Sequence, residues 1–250
     1  MNAISDFTGR LHSEKQIDGF TKLDGTVRFY SFVKAIMLRG NARAVLDYGA
    51  GRGAFWYETH SIFKRQLQDL RLAGAVVTAC DIDEAVLEHP CSDRQIVLRP
   101  DERLPFGDQE FDVIVSDFTF EHLSNPDQTC AELLRVLRPG GFICARTPNK
   151  FGYVKLLTQL VPNGRHAQVL KRVQPGRRGG DVFPTLYKLN SVRDVKKHFP
   201  GCGVYHYVDS AEPAYFFGRE WIYRSFLLLH KVLPERWGTS ICFFIQRQTS

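Results

Sequence analysis

The residues best suited to chemistry surround a glycine-rich run that follows a short apolar segment. The run covers residues 47–53 and reads Asp-Tyr-Gly-Ala-Gly-Arg-Gly. Glycines tolerate positive φ and let a ligand approach the backbone closely, because they carry no Cβ. Asp81 ends the next apolar segment, where its carboxylate could accept hydrogen bonds from ribose hydroxyls. Together the run and Asp81 are typical of a site for a cofactor that contains a nucleoside.

The acidic residue before the glycines distinguishes two classes of cofactor. Gly49, Gly51 and Ala54 satisfy the dinucleotide-binding fingerprint with alanine in its third position. Asp47 stands two residues before the first glycine, where its charge would repel a phosphate. A carboxylate there suits the cationic amino-acid end of S-adenosylmethionine (SAM). The pattern therefore favours SAM, and a nicotinamide dehydrogenase that binds NAD is the alternative.

Strand-like and helix-like runs alternate along the first 150 residues, which predicts an α/β fold with a mostly parallel sheet. Apolar runs predict strands over residues 44–47, 75–81, 95–98, 111–116, 142–146, 203–209 and 241–246. The spacing of apolar residues predicts helices over residues 27–39, 54–72, 191–198 and 217–233. A further helix should begin at Pro126, capped by Asn125, and stop at Pro139-Gly140-Gly141.

Five blocks of the sequence resemble class I SAM-dependent methyltransferases, in particular the branch that includes ubiquinone and menaquinone methyltransferases. The resemblance covers about residues 40–147 and the final strand. It implies a Rossmann-like seven-stranded sheet with helices on both faces and one antiparallel edge strand. In chain order the blocks are VLDYGAGRG (45–53), CDID (80–83), LPF (104–106), FDVIVS (111–116) with EHL (121–123), and ELLRVLRPGG (132–141).

The resemblance also implies which residues contact the cofactor. Gly49 and Gly51 would pass close to the methionine part of SAM, and Asp47 would lie beside its amino group. Asp81 would bind the ribose hydroxyls, and Ile82 would pack near the adenine.

The sequence departs from the family pattern at the adenine contact. Many relatives carry an aspartate four residues before the Leu-Pro-Phe block, whereas this chain has Pro100 there. The neighbouring Asp101 is therefore the possible adenine contact. The complete predicted set of cofactor-binding residues is Asp47, Gly49, Ala50, Gly51, Gly53, Asp81, Ile82, Asp101 and Ser116.

His122 is the residue in the best position to act as a general base. It lies just past the fourth predicted strand, at the end where the methyl group of SAM is expected. The adjacent Glu121 could pair with the substrate, and we predict catalytic roles for both residues. The alternative is that the pair packs or caps the loop, as in many relatives. Asp117, Glu121 and His122 lack the second acid–histidine set of a closed metal site, so we predict no metal.

Residues 148–190 predict an insertion over the carboxyl ends of the strands, where open α/β sheets bind their ligands. Charge favours an anionic acceptor group there, because residues 151–250 carry 15 Lys and Arg against 6 Asp and Glu, whereas residues 1–150 carry 18 against 21. Arginine suits phosphate or carboxylate, and aromatic rings could stack on a sugar. A solvated basic loop is the alternative. The predicted substrate-binding residues are Tyr153, His166, Arg177, Arg178 and Tyr187.

The predicted function follows from both halves of the chain. Residues 146–149, 181–185 and 187–190 are also similar to methyltransferases found among bacterial surface-glycan and lipid genes. We predict methyl transfer from SAM to a small-molecule, glycan-linked or lipid-linked acceptor at oxygen, with S-adenosylhomocysteine (SAH) as product. The alternatives are RNA methylation by the basic C-terminal portion, although nucleic acid is not the favoured partner, and a SAM-binding fold without catalysis.

Composition limits the class and location of the protein. A chain of 250 residues with 44% hydrophobic and 24% charged residues is not wholly disordered. No stretch approaches the roughly 18 apolar residues that span a bilayer, and the N-terminus lacks a signal-peptide pattern. Six cysteines without a CxxC pair favour reduced thiols. We therefore expect a cytoplasmic protein.

The domain organisation expected from the sequence has two parts. Residues 1–40 are predicted to form lead-in helices, and residues 41–250 a methyltransferase domain that contains the insertion. The apolar helix 217–233 carries Trp221 and Tyr223, so peripheral contact with a membrane is one hypothesis. Its apolar residues occupy more than one face, which favours core packing instead. The sequence does not determine the oligomeric state.

Overall fold

The computed structural model describes residues 4–100, 102–153, 185–213 and 218–249. Its strands are β1 (Ala44–Tyr48), β2 (Val76–Asp81), β3 (Arg94–Val97), β4 (Phe111–Asp117), β5 (Leu137–Pro148), β6 (Gly203–Asp209) and β7 (Ser240–Gln246). They form one seven-stranded sheet in the order β3-β2-β1-β4-β5-β7-β6. β1 to β5 pair in parallel, and β7 runs antiparallel to both of its neighbours. The predicted α/β fold with a mostly parallel sheet is confirmed.

The position of the antiparallel strand corrects one expectation. β7 lies between β5 and β6, so β3 and β6 form the edges and the expected antiparallel edge strand was wrong. Burial gives the physical reason. The five central residues of β7, 241–245, are all buried, whereas β6 exposes Tyr205 and His206. A strand that is buried on both faces belongs inside the sheet, and a partly polar strand suits an edge.

Eight helices surround this sheet within the described residues. Several of these helices begin with a side-chain cap. Asp24, Asn125 and Ser191 each accept hydrogen bonds from backbone N–H groups in the first turn of the helix that follows, and the Asn125 cap was predicted. The helices are α1 (Ile4–Leu11), α2 (Lys15–Asp18), α3 (Gly25–Gly40), α4 (Ala54–Glu58), α5 (Ile62–Gln68), α6 (Pro126–Val136), α7 (Val192–His198) and α8 (Glu220–Val232).

The single helix expected over residues 54–72 is replaced by two helices and a 3-10 turn. α4 ends at Glu58, and Ser61 caps α5 by accepting a hydrogen bond from the Lys64 N–H. The Asp18 carboxylate accepts hydrogen bonds from the N–H groups of Ile62 and Phe63 at 3.0 and 2.8 Å. A carboxylate distant in the sequence thus accepts hydrogen bonds from the free N–H groups at the start of α5. The local pattern of apolar residues could not reveal this contact.

The helix that begins at Pro126 also ends earlier than expected. α6 stops at Val136, and β5 starts at the next residue, so the Pro-Gly-Gly segment lies inside β5. Gly140 has a φ of +80° and its N–H donates to the Arg247 carbonyl at 2.8 Å. The end of the chain therefore pairs with this segment and extends the strand beyond the predicted residues 142–146.

Two apolar cores cover the two faces of the sheet. Val45 and Leu46 of β1 point to opposite faces, because successive side chains of a strand alternate. Val45 packs in the core beneath α3, with Phe29 and Val33. Leu46 packs in the core beneath α6, with Leu133. The sheet is thus fixed from both sides, and its carboxyl edge is left to carry a site.

Helix α8 differs from the expected core helix. Tyr223 is its one buried residue, and it bonds the N-terminal segment through His12, whose Nε2 lies 2.9 Å from the Tyr223 hydroxyl. Trp221, Leu228 and Val232 are exposed. Core packing of the whole helix was therefore wrong, because its apolar residues exceed what one contact face can bury. None of the described helices is long and apolar enough to cross a membrane.

Candidate active site

The glycine run forms the turn between β1 and α4. Gly49, Gly51 and Gly53 have φ values of +76°, +53° and +66°, a region that L side chains rarely adopt. The N–H groups of Gly49 and Ala50 both donate to the Cys80 carbonyl, at 2.8 and 3.1 Å. The turn is therefore folded over the end of β2, and all three glycines are needed for its backbone.

The first glycine also permits a close contact with the end of β4. A Cβ on Gly49 would overlap with Oγ1 of Thr119, so no other residue fits there without a shift of the backbone. The Thr119 hydroxyl donates to the Gly49 carbonyl at 3.3 Å. Thr119 was not among the predicted residues. No local signal marked it, because its role depends on a contact between residues 70 positions apart.

Asp81 connects the glycine turn to the next loop. Its Oδ2 accepts a hydrogen bond from the Gly51 N–H at 2.8 Å, and its Oδ1 accepts one from the Asp83 N–H at 3.0 Å. Each carboxylate oxygen can accept a second hydrogen bond. The carboxylate is thus fixed in orientation and keeps acceptor capacity for a pair of hydroxyl groups.

Asp81 lies in the wall of a cavity of about 150 Å³ at the carboxyl edge of the sheet. Gly49 and Ile82 line the same cavity, together with the apolar side chains of Leu98 and Leu104. An apolar slot with a carboxylate at its rim suits a nucleoside, whose base is flat and whose ribose carries hydroxyls. The remaining wall residues are Tyr48, Arg99, Pro100, Glu102, Thr119, His122, Leu123, Ser124, Gln128, Thr129 and Glu132.

Asp47 is a carboxylate in an unfavourable environment. Burial is the main cause that raises its pKa to about 7, and the nearby charges of Asp117 and Asp81 raise it further. Among the described residues, none donates a hydrogen bond to its carboxylate. A cationic ligand beside Asp47 would relieve this repulsion, so the site is prepared for positive charge.

Comparison with known proteins assigns this arrangement to a family. A model described as "Methyltransferase domain" matches residues 46–145, which include the glycine turn, Asp81 and His122. The chain contains a class I SAM-dependent methyltransferase domain. Its seven-stranded sheet with helices on both faces is the fold that the sequence resemblance implied, apart from the position of β7.

Relatives of this methyltransferase domain act on different acceptors. The chain is 30% identical over 160 residues to malonyl-[acyl-carrier protein] O-methyltransferase 1 of Coxiella burnetii, covering 64% of this chain and 52% of that relative. It is 31% identical over 131 residues to the mitochondrial 2-methoxy-6-polyprenyl-1,4-benzoquinol methylase of Mus musculus, covering 48% and 38%. The chain thus spans about half or less of the length of these curated relatives.

A solved structure shows the shared fold. A SAM-dependent methyltransferase from Methanosarcina mazei superposes with a TM-score of 0.51 at 16% identity, over 83% of this chain and 93% of that chain. At this identity the likeness concerns the fold alone.

The residues of the methyltransferase domain fit SAM. A Cβ on Gly51 would meet nothing within 4 Å, so the turn leaves open space above the backbone. Asp81 offers acceptors for the ribose, and Ile82 is 50% exposed beside it, where it can pack on the adenine. Asp47 is the carboxylate predicted to lie beside the amino group. These four residues were predicted from the sequence and lie at one end of the sheet.

The raised pKa of Asp47 predicts that cofactor binding depends on pH. Only the ionised carboxylate attracts an ammonium group, so we expect SAH affinity to increase as pH rises through about 7. Below that pH, each unit should weaken binding by up to about tenfold. Calorimetric titration of SAH at several pH values measures this, and Asp47→Asn should bind weakly with a flat profile. A wild-type profile as flat as that of Asp47→Asn would contradict this role.

Glu121 and His122 have different surroundings. His122 lines the cofactor cavity, whereas Glu121 is 4% exposed and lies behind that wall. Glu121 Oε2 accepts a hydrogen bond from the Thr147 hydroxyl at 2.9 Å, and its Oε1 lies 3.9 Å from His122 Nε2. Burial raises the pKa of Glu121. The pair places the carboxyl group of Glu121 behind the imidazole of His122, and Glu121 does not line the cofactor cavity.

The other predicted cofactor residues lie in three kinds of place. Ser116 is fully buried within β4, so the structure does not bring it to the cavity wall; Asp117 ends that strand instead. Gly53 is packed against His89 and Pro90, and the Ala50 N–H is bonded to β2. Asp101 lies outside the described residues.

The predicted substrate residues are only partly described. Tyr153 is buried, with its ring stacked on Phe226 and its hydroxyl 2.5 Å from His230 Nε2. The Tyr187 N–H donates to the Glu121 carbonyl at 3.3 Å. Both tyrosines thus anchor neighbouring segments, and neither lines the cofactor cavity. His166, Arg177 and Arg178 lie outside the described residues.

A second cavity, of about 250 Å³, lies farther along the carboxyl edge, beyond the end of β4. Sequence reasoning did not predict it, because its residues come from the N-terminal segment, β4, β5, β6 and β7. Asp209 in its wall is buried and pairs with Arg28 at 2.5 Å, and burial raises the pKa of Asp209. The wall consists of Asp24, Gly25, Thr26, Phe118, Arg146, Asp209, Ala211, Glu212 and Ser240.

Arg146 lies in the wall of the second cavity and binds Asp117 at the end of β4. Its Nε and Nη2 donate to the Asp117 carboxylate at 2.7 and 2.6 Å, and its Nη1 donates to Thr26 Oγ1 at 3.1 Å. The guanidinium lies 4.7 Å from the centre of the Phe118 ring and 5.2 Å from that of Phe29. This buried bidentate pair fixes the end of β4 between the cofactor cavity and the second cavity. Within the described residues, no three His, Cys, Asp or Glu side chains form a metal site.

Proposed function

We propose that the protein transfers the methyl group of SAM to a hydroxyl oxygen of a small-molecule, glycan-linked or lipid-linked acceptor that bears an anionic group. The observation that carries this proposal is His122 in the wall of the cofactor cavity, backed by the buried Glu121 at 3.9 Å. SAM supplies a methyl group made electrophilic by its sulfonium. A sugar hydroxyl supplies the oxygen, and the chain must hold it in line and exclude water.

In this proposal His122 is the general base. Its imidazole takes the proton of the acceptor hydroxyl as the oxygen–carbon bond forms and the carbon–sulfur bond breaks. The products are the methylated oxygen and SAH. Glu121 orients the ring and stabilises the imidazolium, the role of a carboxylate behind a catalytic histidine.

The second cavity is the proposed place of the acceptor. Thr119 lines the cofactor cavity and Phe118 lines the second cavity, so consecutive residues of one loop separate the two. An acceptor in the second cavity would approach the reactive end of the cofactor across this loop. The Phe118 ring offers an apolar face, while Asp209 and Glu212 supply acceptors for hydroxyl groups. A cavity of about 250 Å³ suits one ring with its substituents.

Incubation with methyl-labelled SAM and a cell extract tests the proposed reaction. Lipid, polysaccharide, small-molecule and RNA fractions are separated and counted. We expect label in one of the first three. Label in RNA would instead favour the basic C-terminal portion as an RNA-binding surface. Absence of label from every fraction, with protein that binds SAH, would favour a SAM-binding fold without catalysis.

Replacement of His122 by alanine tests the general base. We expect kcat to fall by about 10²–10⁴-fold, the usual contribution of a positioned base, while the Kd for SAH stays within a few-fold of wild type. Glu121→Gln keeps a partner for Thr147 and should reduce kcat less. Steady-state kinetics at saturating acceptor provides the comparison. Full turnover by His122→Ala would return the Glu-His pair to a packing role.

The anionic acceptor group is tested on the basic residues of the insertion. Arg177→Ala combined with Arg178→Ala should raise the acceptor KM by about tenfold or more, since a lost charge-assisted hydrogen bond weakens binding by about 1.5–3 kcal/mol. The Kd for SAH should not change. An acceptor KM equal to that of wild type would remove these arginines from the acceptor site, and a loss of SAH binding would assign them to the cofactor.

A further inference from the structure

A buried histidine near the glycine turn has an unsatisfied hydrogen-bonding nitrogen. His89 follows the 3-10 turn after β2 and is 4% exposed. Its Nδ1 accepts a hydrogen bond from the Cys91 N–H at 3.3 Å, so the ring proton belongs on Nε2. That Nε2 is buried and has no hydrogen-bond partner among the described residues. Buried polar atoms are rarely left unpaired, and an exception calls for a partner that arrives later.

The position of the ring suggests that partner. His89 Nε2 lies 3.9 Å from Oδ2 of Asp47. The ring also packs directly on the third glycine of the turn, since a Cβ on Gly53 would lie 2.9 Å from Cδ2 of His89 and 3.0 Å from Nε2. The same Cβ would lie 2.7 Å from Cδ of Pro90. The imidazole is thus wedged beneath the turn, with its N–H on the side of Asp47.

Asp47 lacks the donor that His89 could supply. Within the described residues its carboxylate accepts no hydrogen bond, although the proposed function requires it to be ionised when it meets the amino group of SAM. We propose that His89 is a positioning residue of the cofactor site, whose Nε2–H donates to Asp47 when the cofactor binds and holds that carboxylate ionised and oriented. A small shift of the ring on binding closes the 3.9 Å separation to hydrogen-bond length. This inference rests on the proposed function.

His89 acts through its dipole and not through a charge. Burial and, to a smaller extent, the positive charge of Arg71 lower its pKa to about 4, so the ring is neutral at pH 7. A neutral donor would lower the pKa of Asp47 in the cofactor complex, and its removal should raise the pKa in that complex. The titratable groups around Asp47 belong to several elements. Tyr30 lies on α3, Cys80 and Asp81 lie on β2, Asp117 ends β4, and His89 follows the turn after β2.

Two substitutions separate the donor from the rest of the ring. In His89→Asn, the side-chain oxygen takes the place of Nδ1 and keeps the bond from Cys91, but the Nε2 donor is lost. In His89→Gln, the side-chain amide takes the place of Nε2 and keeps a donor towards Asp47. The Kd of SAH is measured by calorimetry from about pH 6 to 8.5 for both variants and for wild type, after thermal melts show which variants are folded.

The expected result is asymmetric between the variants. At pH 7, His89→Asn should weaken SAH binding by about tenfold, while His89→Gln stays near wild type. Equal behaviour of His89→Asn and wild type would overturn the inference. An equal loss in both variants would overturn it too, because ring packing would then be responsible. Failure of wild type to bind SAH would instead refute the proposed function itself.

Discussion

Asp81→Ala is expected to weaken the binding of SAH by about 1.5–3 kcal/mol, the range for lost hydrogen bonds to a charged group. This corresponds to about a 10- to 100-fold increase in Kd. The substitution removes the acceptors for the ribose and also releases the N–H of Gly51, which Asp81 holds at 2.8 Å. Isothermal calorimetry measures the change, with SAH as the ligand.

Asp83→Ala is the matched control for this experiment. The Asp83 side chain caps the turn after β2 through the Ala85 N–H at 2.9 Å, while its backbone N–H, which binds Asp81, remains in the variant. Asp83 is absent from the cavity wall. We expect its Kd to stay within a few-fold of wild type. Unchanged SAH affinity in Asp81→Ala would show that the ribose site lies elsewhere.

Arg146→Met is expected to destabilise the protein by about 3–5 kcal/mol, the cost of leaving one partner of a buried ion pair uncompensated. Arg146 is 7% exposed, and Asp117 is its bidentate partner. The loss should lower Tm by about 6–20 °C for a chain of this size. It should also disorder the loop at residues 118–119 that separates the two cavities. Thermal melts at pH 7 measure the effect.

An exposed arginine provides the comparison. Arg138 pairs with Asp112 at 2.5 Å, but its side chain is 46% exposed. Solvent weakens such pairs, so Arg138→Met should cost only about 0.2–1 kcal/mol. Equal changes in Tm for the two variants would mean that the Asp117–Arg146 pair does not stabilise the end of β4 as argued.

The sequence predicted the strands and the cofactor loop because their signals are local. Apolar runs such as residues 111–116 mark buried strands, and the backbone of the glycine turn depends on three glycines within five residues. The predicted contacts of Asp81 and Gly49 with the cofactor rest on the same local motif, so they can be stated from the amino-acid sequence alone.

Features that depend on distant contacts could not be predicted. The break between α4 and α5 depends on Asp18, 44 residues before Ile62. The wall of the second cavity brings together Thr26 and Arg146, which are 120 positions apart. His89 lies in a segment without a motif, and only its distance to Asp47 gives it a role. Such contacts shape the acceptor half of the site. Its chemistry is therefore harder to predict from the sequence than that of the cofactor half.

The most direct test of the account is a calorimetric titration of the wild-type protein with SAH, beside a parallel titration with NAD. We expect SAH to bind at one site per chain, Asp81→Ala to lose most of that binding, and NAD not to bind. A folded protein that binds NAD and not SAH would contradict the account and support the dehydrogenase alternative. A folded protein that binds neither would show that the cavity beside Asp81 is not a SAM site.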